Sequence, residues 1–126
     1  MRGIRGATTI EKDEREQVSA AVRELLEAIL SANPELSSAD IASALFTVTG
    51  DIISAFPAAA ARAMGWDEVP MLCTREIPVP GSLPLCIRVL LHWNTEQNSQ
   101  EIKHVYLRNA KALRPDWVLS NSREEA

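Results

Sequence analysis

The chain is predicted to fold as a mixed α/β (α+β) domain, a five-stranded mixed sheet with one long and one short helix. Three observations carry this reading. Apolar residues recur at helical spacing between Val18 and Leu30. Four later runs, ALFTVTG, VPMLCTREI, CIRVLLHW and HVYL, are short and rich in strand-forming residues, each bounded by turn signals. At 126 residues, 46% hydrophobic and 24% charged, the chain is long enough for one domain with a real core.

The elements follow in order. RGIRGATTI reads as a first strand that Gly3 and Gly6 thin, so a neighbour can approach its backbone closely. Arg2 and Arg5 are three apart and point to opposite faces of an extended strand, so only one of them can face a shared site. Asp13-Glu14-Arg15-Glu16 has the form of a capping box. Val18, Val22, Leu25, Leu26, Ile29 and Leu30 make the apolar stripe of the long helix, and Asn33-Pro34 ends it. Ser37 to Ala42 suggests one helical turn before the strand ALFTVTG, which Gly50-Asp51 closes. Pro57 opens and Gly65 closes a slim alanine helix whose only charge is Arg62. Two apolar strands joined by a Pro/Gly connection come next, from Val69 to Trp93, then a polar connection and the short strand His104 to Leu107. NAKALRPDW makes a last turn that stops at Pro115. Residues 1–117 are expected to form the domain and 118–126 a polar, frayed tail. One long helix covers only part of five strands. The remaining face is expected to be apolar and buried by self-association.

Bulk charge narrows the function. The net charge is −4 and no basic stripe runs along the chain, so it carries no nucleic-acid footprint. Of 13 cationic side chains only Lys12, Lys103 and Lys111 are lysines; the arginine fork matches carboxylates bidentately. Cys73 and Cys86 lie in apolar strands without metal-ligand spacing and read as reduced, buried residues. There is no apolar signal core and no membrane-spanning run, which points to the cytoplasm.

Three polar groups stand out in the apolar stretch after Val69: Cys73, Glu76 and Arg88. Arg88 interrupts CIRVLLHW, and a guanidinium cannot shed its charge on burial. It needs an anionic partner, either Glu76 or a ligand. Nothing supports nucleophilic catalysis. Cys73 has no histidine nearby, and His92 and His104 read as strand histidines with satisfied hydrogen bonds. No phosphate loop or metal motif occurs. What remains is Arg5, Arg62, Arg88 and Arg114 with a glutamate, a tyrosine and a cysteine. That set suits a small polyanion, and it can stabilise charge that develops on it without metal or cofactor.

Four motifs, RGIRGATT, AFPAAAAR, VPMLCTREIPVPGSLPLCIRVL and HVYLRNAKALRPD, occur in order over residues 2 to 116. With them the chain resembles the monofunctional chorismate mutases of the trimeric pseudo-α/β-barrel type. The resemblance implies a homotrimer whose sheets form a central core, with active sites between subunits. It implies conversion of chorismate to prephenate, a pericyclic rearrangement on the way to phenylalanine and tyrosine, with no cofactor or metal. By motif, Arg88 is implied to donate to the ether oxygen and to a carboxylate, and Glu76 to accept from the substrate hydroxyl. Arg5 is implied to hold a carboxylate with help from Tyr106, and Cys73 to sit beside Glu76. Phe56, Ala58 and Arg62 match residues given by the neighbouring subunit, and Met71 and Leu72 match the substrate-contacting edge. Leu113 and Arg114 match a segment that closes over the site. Leu72 stands where relatives can carry a small hydroxyl residue, and Ala59 where they can carry a lysine; both bear on fine contacts. Two other functions are compatible with such a fold: an imine deaminase, whose motifs are missing here, and a non-catalytic trimeric binder of small carboxylates.

Overall fold

One strand runs through the middle of the molecule and sets both of its faces. In the computed structural model, which describes residues 1–117, the five strands are β1 (Arg2–Thr9), β2 (Ile41–Val48), β3 (Met71–Arg75), β4 (Cys86–Trp93) and β5 (Val105–Tyr106). They form one sheet in the order β3-β2-β4-β1-β5. β4 is antiparallel to both β1 and β2, while β3 and β5 add parallel to β2 and β1. The five-stranded mixed sheet expected from the strand runs is therefore present.

Strand alternation on β4 divides the molecule. Ile87, Val89, Leu91 and Trp93 are buried under helix α1 (Arg15–Ala32), and Arg88, Leu90 and His92 point the other way, half-buried. The helix docks through Val18, Ala21, Val22, Leu25, Leu26 and Ile29. It comes down hard on β1 at Gly6, where an added Cβ would lie 2.9 Å from Ile29 and 3.2 Å from Leu25. The second helix, α2 (Pro57–Ala63), packs beside α1 and buries Ala58, Ala60 and Ala61 in the same core. Pro57 takes its first turn, and Gly65 leaves it at φ +95°, a conformation that favours glycine.

Several expectations are corrected. Asp13 is no helix cap: its carboxylate accepts from the backbone N–H groups of Ile53 and Ser54, tying the helix start to the loop before α2. The N-cap residue, Glu14, makes no side-chain capping bond, and Gln17 instead accepts from the N–H groups of Glu11 and Lys12. The two strands after Val69 are both present, and β2 lies between them in the sheet. β2 starts at Ile41, three residues before the ALFTVTG run, since Ile41 and Ala44 also reach the core. β3 is an edge strand, with Cys73 only half-buried and Leu72 72% exposed.

The sheet face away from α1 is not uniformly apolar. Across the register it carries three rows: Ser43 with His92 and Gly3; then Leu72, Leu45, Leu90 and Arg5; then Thr74, Thr47, Arg88, Ala7 and Tyr106. Only the middle row is greasy, and it ends in a guanidinium. The tail expected from Val118 lies outside the described residues. Among the described residues no helix is long and apolar enough to cross a membrane.

Asn33 closes the fold in a way its place before a proline does not announce. Buried at the end of α1, it donates to the carbonyls of Ile29 and Lys103 and accepts from Lys103 N–H at 2.9 Å. The approach to β5 is thereby fixed to the helix C-terminus. Gly6→Ala is expected to cost about 1–3 kcal/mol, because helix side chains and the Val105 carbonyl, 3.3 Å from the new methyl, must yield. Urea denaturation of the variant against the parent measures this.

Candidate active site

The third row of the open face is where charge collects. Thr47 on β2 lies directly opposite Arg88 on β4, and Ala7 on β1 separates Arg88 from Tyr106 on β5. Glu76 follows β3 and is pinned by its N–H, which donates to the Val48 carbonyl at 2.9 Å. Its Oε2 accepts from the Thr47 hydroxyl and lies 3.3 Å from Arg88 Nε. This ion pair is the protein's own answer to the Arg88 charge, and it is incomplete. The Nε–H does not point at the carboxylate, so a buried, permanently charged donor has no hydrogen-bond acceptor among the described residues. The side chain as a whole remains 33% exposed, so a ligand can reach it.

Cys86, two residues before Arg88 and on the same side of the strand, is buried beside it. Burial pushes its thiol up, against the charge of the Arg88 guanidinium and a hydrogen bond with it, so at neutral pH it stays a thiol. Tyr106 is buried too, and burial raises its phenol while the charges of Arg5, Arg114 and Arg88 act the other way. It therefore keeps its proton at neutral pH and can donate a hydrogen bond. Three guanidinium groups thus bear on one phenol from β1, β4 and the C-terminal segment. Ala7, Tyr106 and Ala110 form a small cluster of their own, with Leu83 and Leu113 packed against it.

His104 completes this end. Its Nδ1 accepts from the Arg5 N–H at 3.0 Å, which fixes the backbone from which the Arg5 side chain projects. Burial, then the cations of Arg5 and Arg114, hold its imidazole below the ordinary value. Arg114 forms a two-point pair with Asp116 at 2.8 and 3.1 Å, which keeps Asp116 low and Arg114 charged still higher in pH than usual. His92, in the first row, pairs with the Ser43 hydroxyl at 2.9 Å. Both histidines are hydrogen-bonded, but only His92 is a strand residue; His104 precedes β5.

The remaining expected residues stand elsewhere. Phe56 is 71% exposed at the start of α2, Arg62 is exposed, and Ala58 is buried in the core. Phe56 and Cys73, with Ala59, Thr74 and Arg75, line an open groove of about 540 Å³. Met71 is half-buried at the start of β3 and packs on the core, whereas Leu72 lies on the open face. α2 sits with α1 on the covered side of the sheet, so Phe56 and Arg62 do not meet Arg88 within one chain. Arg88, Glu76, Arg5, Tyr106, Leu113 and Arg114 share one region. Thr47, Cys86 and Leu83 belong to it and were not singled out by the residue pattern. Cys86 was open to detection by its period-two spacing from Arg88. Thr47 was not, because cross-strand register is not written in either strand alone.

The comparisons fit this geometry. Residues 1–117 match the family chorismate mutase type I. The chain belongs to that family. It is 54% identical over 116 residues to chorismate mutase AroH of Thermus thermophilus, covering 92% of this chain and 95% of that one. It is 40% identical over 125 residues to chorismate mutase AroH of Bacillus subtilis (strain 168), covering 98% of each. The solved chorismate mutase from Clostridium thermocellum superposes with a TM-score of 0.86 at 46% identity, over 89% of this chain and 99% of that one. The fold and the enzyme class expected from the four motifs are both supported: the chain is an isomerase of the chorismate mutase type. Among the described residues no three His, Cys, Asp or Glu side chains converge to hold a metal ion.

Because the fold favours neutral His104, its contribution to stability is complete above about pH 6.5 and is lost as the pH falls through the lower folded value. The unfolding temperature is expected to fall as the pH drops below about 6.5, and His104→Gln to flatten that slope. Asp13 and Asp116, both held below 3.8, act only at more acid pH.

Proposed function

We propose that this chain converts chorismate to prephenate in the cytoplasm, in sites completed between copies of itself in a homotrimer. The observation that carries the reading is Arg88: a buried guanidinium N–H with no aligned acceptor, on an accessible face, in a chain of the mutase family. The rearrangement breaks the ether C–O bond and makes a C–C bond within one molecule. No proton changes hands and no nucleophile is required. Catalysis then reduces to holding a dianion in its reactive conformer and countering the charge that builds on the ether oxygen.

Each residue has a part. Arg88 donates to the ether oxygen and to one carboxylate, and Arg5, supported by the Tyr106 hydroxyl, holds a carboxylate. Glu76 accepts from the substrate hydroxyl. Leu113 and Arg114 close the open end. Phe56, Ala58 and Arg62 are supplied by a neighbouring copy, with buried Ala58 offering main chain only, while Cys73 sits beside Glu76 and Met71 and Leu72 give the substrate-contacting edge. Two facts support a shared site. Phe56 and Arg62 lie with α2 on the covered side of the sheet while Arg88 faces the other way. The middle row, Leu72, Leu45 and Leu90, is apolar surface that association would cover. The free cysteines are in keeping with a reducing compartment.

Purified protein is expected to consume chorismate, followed by loss of its absorbance, without added metal or cofactor. Arg88→Ala raises the barrier by about 3 kcal/mol or more, by analogy with removal of an oxyanion donor. Arg88→Lys recovers little, because an ammonium cannot span two acceptors. Tight binding of a substrate-like dianion with no turnover would overturn the assignment in favour of a binding protein. Mixing inactive Arg88→Ala with inactive Arg62→Ala tests the shared site separately. Restored activity after the subunits exchange is the expected result, and none is obtained if every site lies within one chain.

A further inference from the structure

We infer that Thr47 is a positioning residue for the rearrangement, holding one oxygen of Glu76 so that the other stays turned toward the substrate hydroxyl. The inference rests on the mutase reading and deepens it, adding a residue that acts through Glu76.

The argument starts from the carboxylate. Both protein contacts to it converge on a single atom: Oε2 accepts from the Thr47 hydroxyl and lies next to Arg88 Nε. No hydrogen bond reaches Oε1 among the described residues. A carboxylate rotates about a broad terminal torsion, so a glutamate held only by its stem does not choose which oxygen faces outward. The stem is held, through Glu76 N–H on the Val48 carbonyl, but beyond it the chain enters an exposed loop where Ile77 is 78% exposed. Arg88 alone does not fix the rotation, because its Nε–H is not aimed at Oε2. A carboxylate can only accept, so the Thr47 O–H must be the donor, and it is the one directional contact the group has.

Thr47 is itself rigidly placed. It stands on an interior strand between Phe46 and Val48, both buried in the core, and faces Arg88 in the antiparallel register. Its χ1 is restricted by β-branching. The hydroxyl therefore passes the precision of the core on to a group at the end of an edge strand. A valine there would keep the shape and lose the donor.

The test is a cycle of variants: Thr47→Val, Thr47→Ser, Glu76→Gln and Thr47→Val with Glu76→Gln, each assayed for chorismate turnover and thermal unfolding. Thr47→Val is expected to lower kcat/KM about tenfold, and Thr47→Ser to stay within about threefold of the parent. In the Glu76→Gln background the valine is expected to cost nothing further, because the group it positions is already gone. A further loss of the same size in that background, or a serine variant no better than valine, overturns the inference. Should valine leave the chain unfolded, Thr47→Ala takes its place in the cycle. A parent chain without turnover fails the mutase reading; an active parent indifferent to Thr47→Val fails only this inference.

Discussion

Everything in this molecule that bears on chemistry depends on a guanidinium that cannot be neutralised, placed on the uncovered face of a central strand. Alternation along β4 leaves no choice in the matter. Ile87 and Val89, on either side of Arg88, are buried under α1, so Arg88 must face away from the helix. There it meets one carboxylate, off-line, and stands in a row with Thr47 and Tyr106. A fully satisfied Arg–Glu pair would make a good structural contact and a poor receptor. The pair with Glu76 is poorly aligned, and the Arg88 side chain as a whole stays partly exposed.

The covered face makes this possible. Leu25 and Ile29 press onto Gly6, and Asn33 binds the approach to β5 to the helix end through three hydrogen bonds. Those contacts set where Arg5 and Tyr106 stand relative to Arg88, since Gly6 pairs with Val105 and Ala7 with Tyr106. Positioning of a few tenths of an ångström is the business of packed cores, and here the core lies one residue away from Arg5, Arg88 and Tyr106.

Much of this was legible in the residues. The helix stripe, the alanine helix with its proline and glycine, the five strand runs and the oddity of Arg88 all follow from local periodicity and turn chemistry. What was not legible depends on pairing across the sheet. The segments holding Cys73 and Arg88 look like companions because they are adjacent in sequence, yet β2 separates them, and Cys73 faces the covered side with Phe46. Thr47 looks like any strand threonine until register sets it against Arg88 and Glu76. Asp13 has the spacing of a cap and is spent on a loop forty residues away in the chain. In each case the local signal was sound and a distant partner decided the outcome.

Arg5, Arg114 and Arg88 all act on the phenol of Tyr106, against Asp116, and two of the three have a carboxylate partner: Arg88 has Glu76 and Arg114 has Asp116. In the proposed reaction a dianion would meet these cations on binding, and the charge that moves to its ether oxygen would develop beside Arg88. The polar environment does not have to reorganise at the moment of reaction, because core packing has already done so. A titrating acid or base would add nothing to such a site, which is why its histidines can be spent on holding the backbone and pairing with a serine.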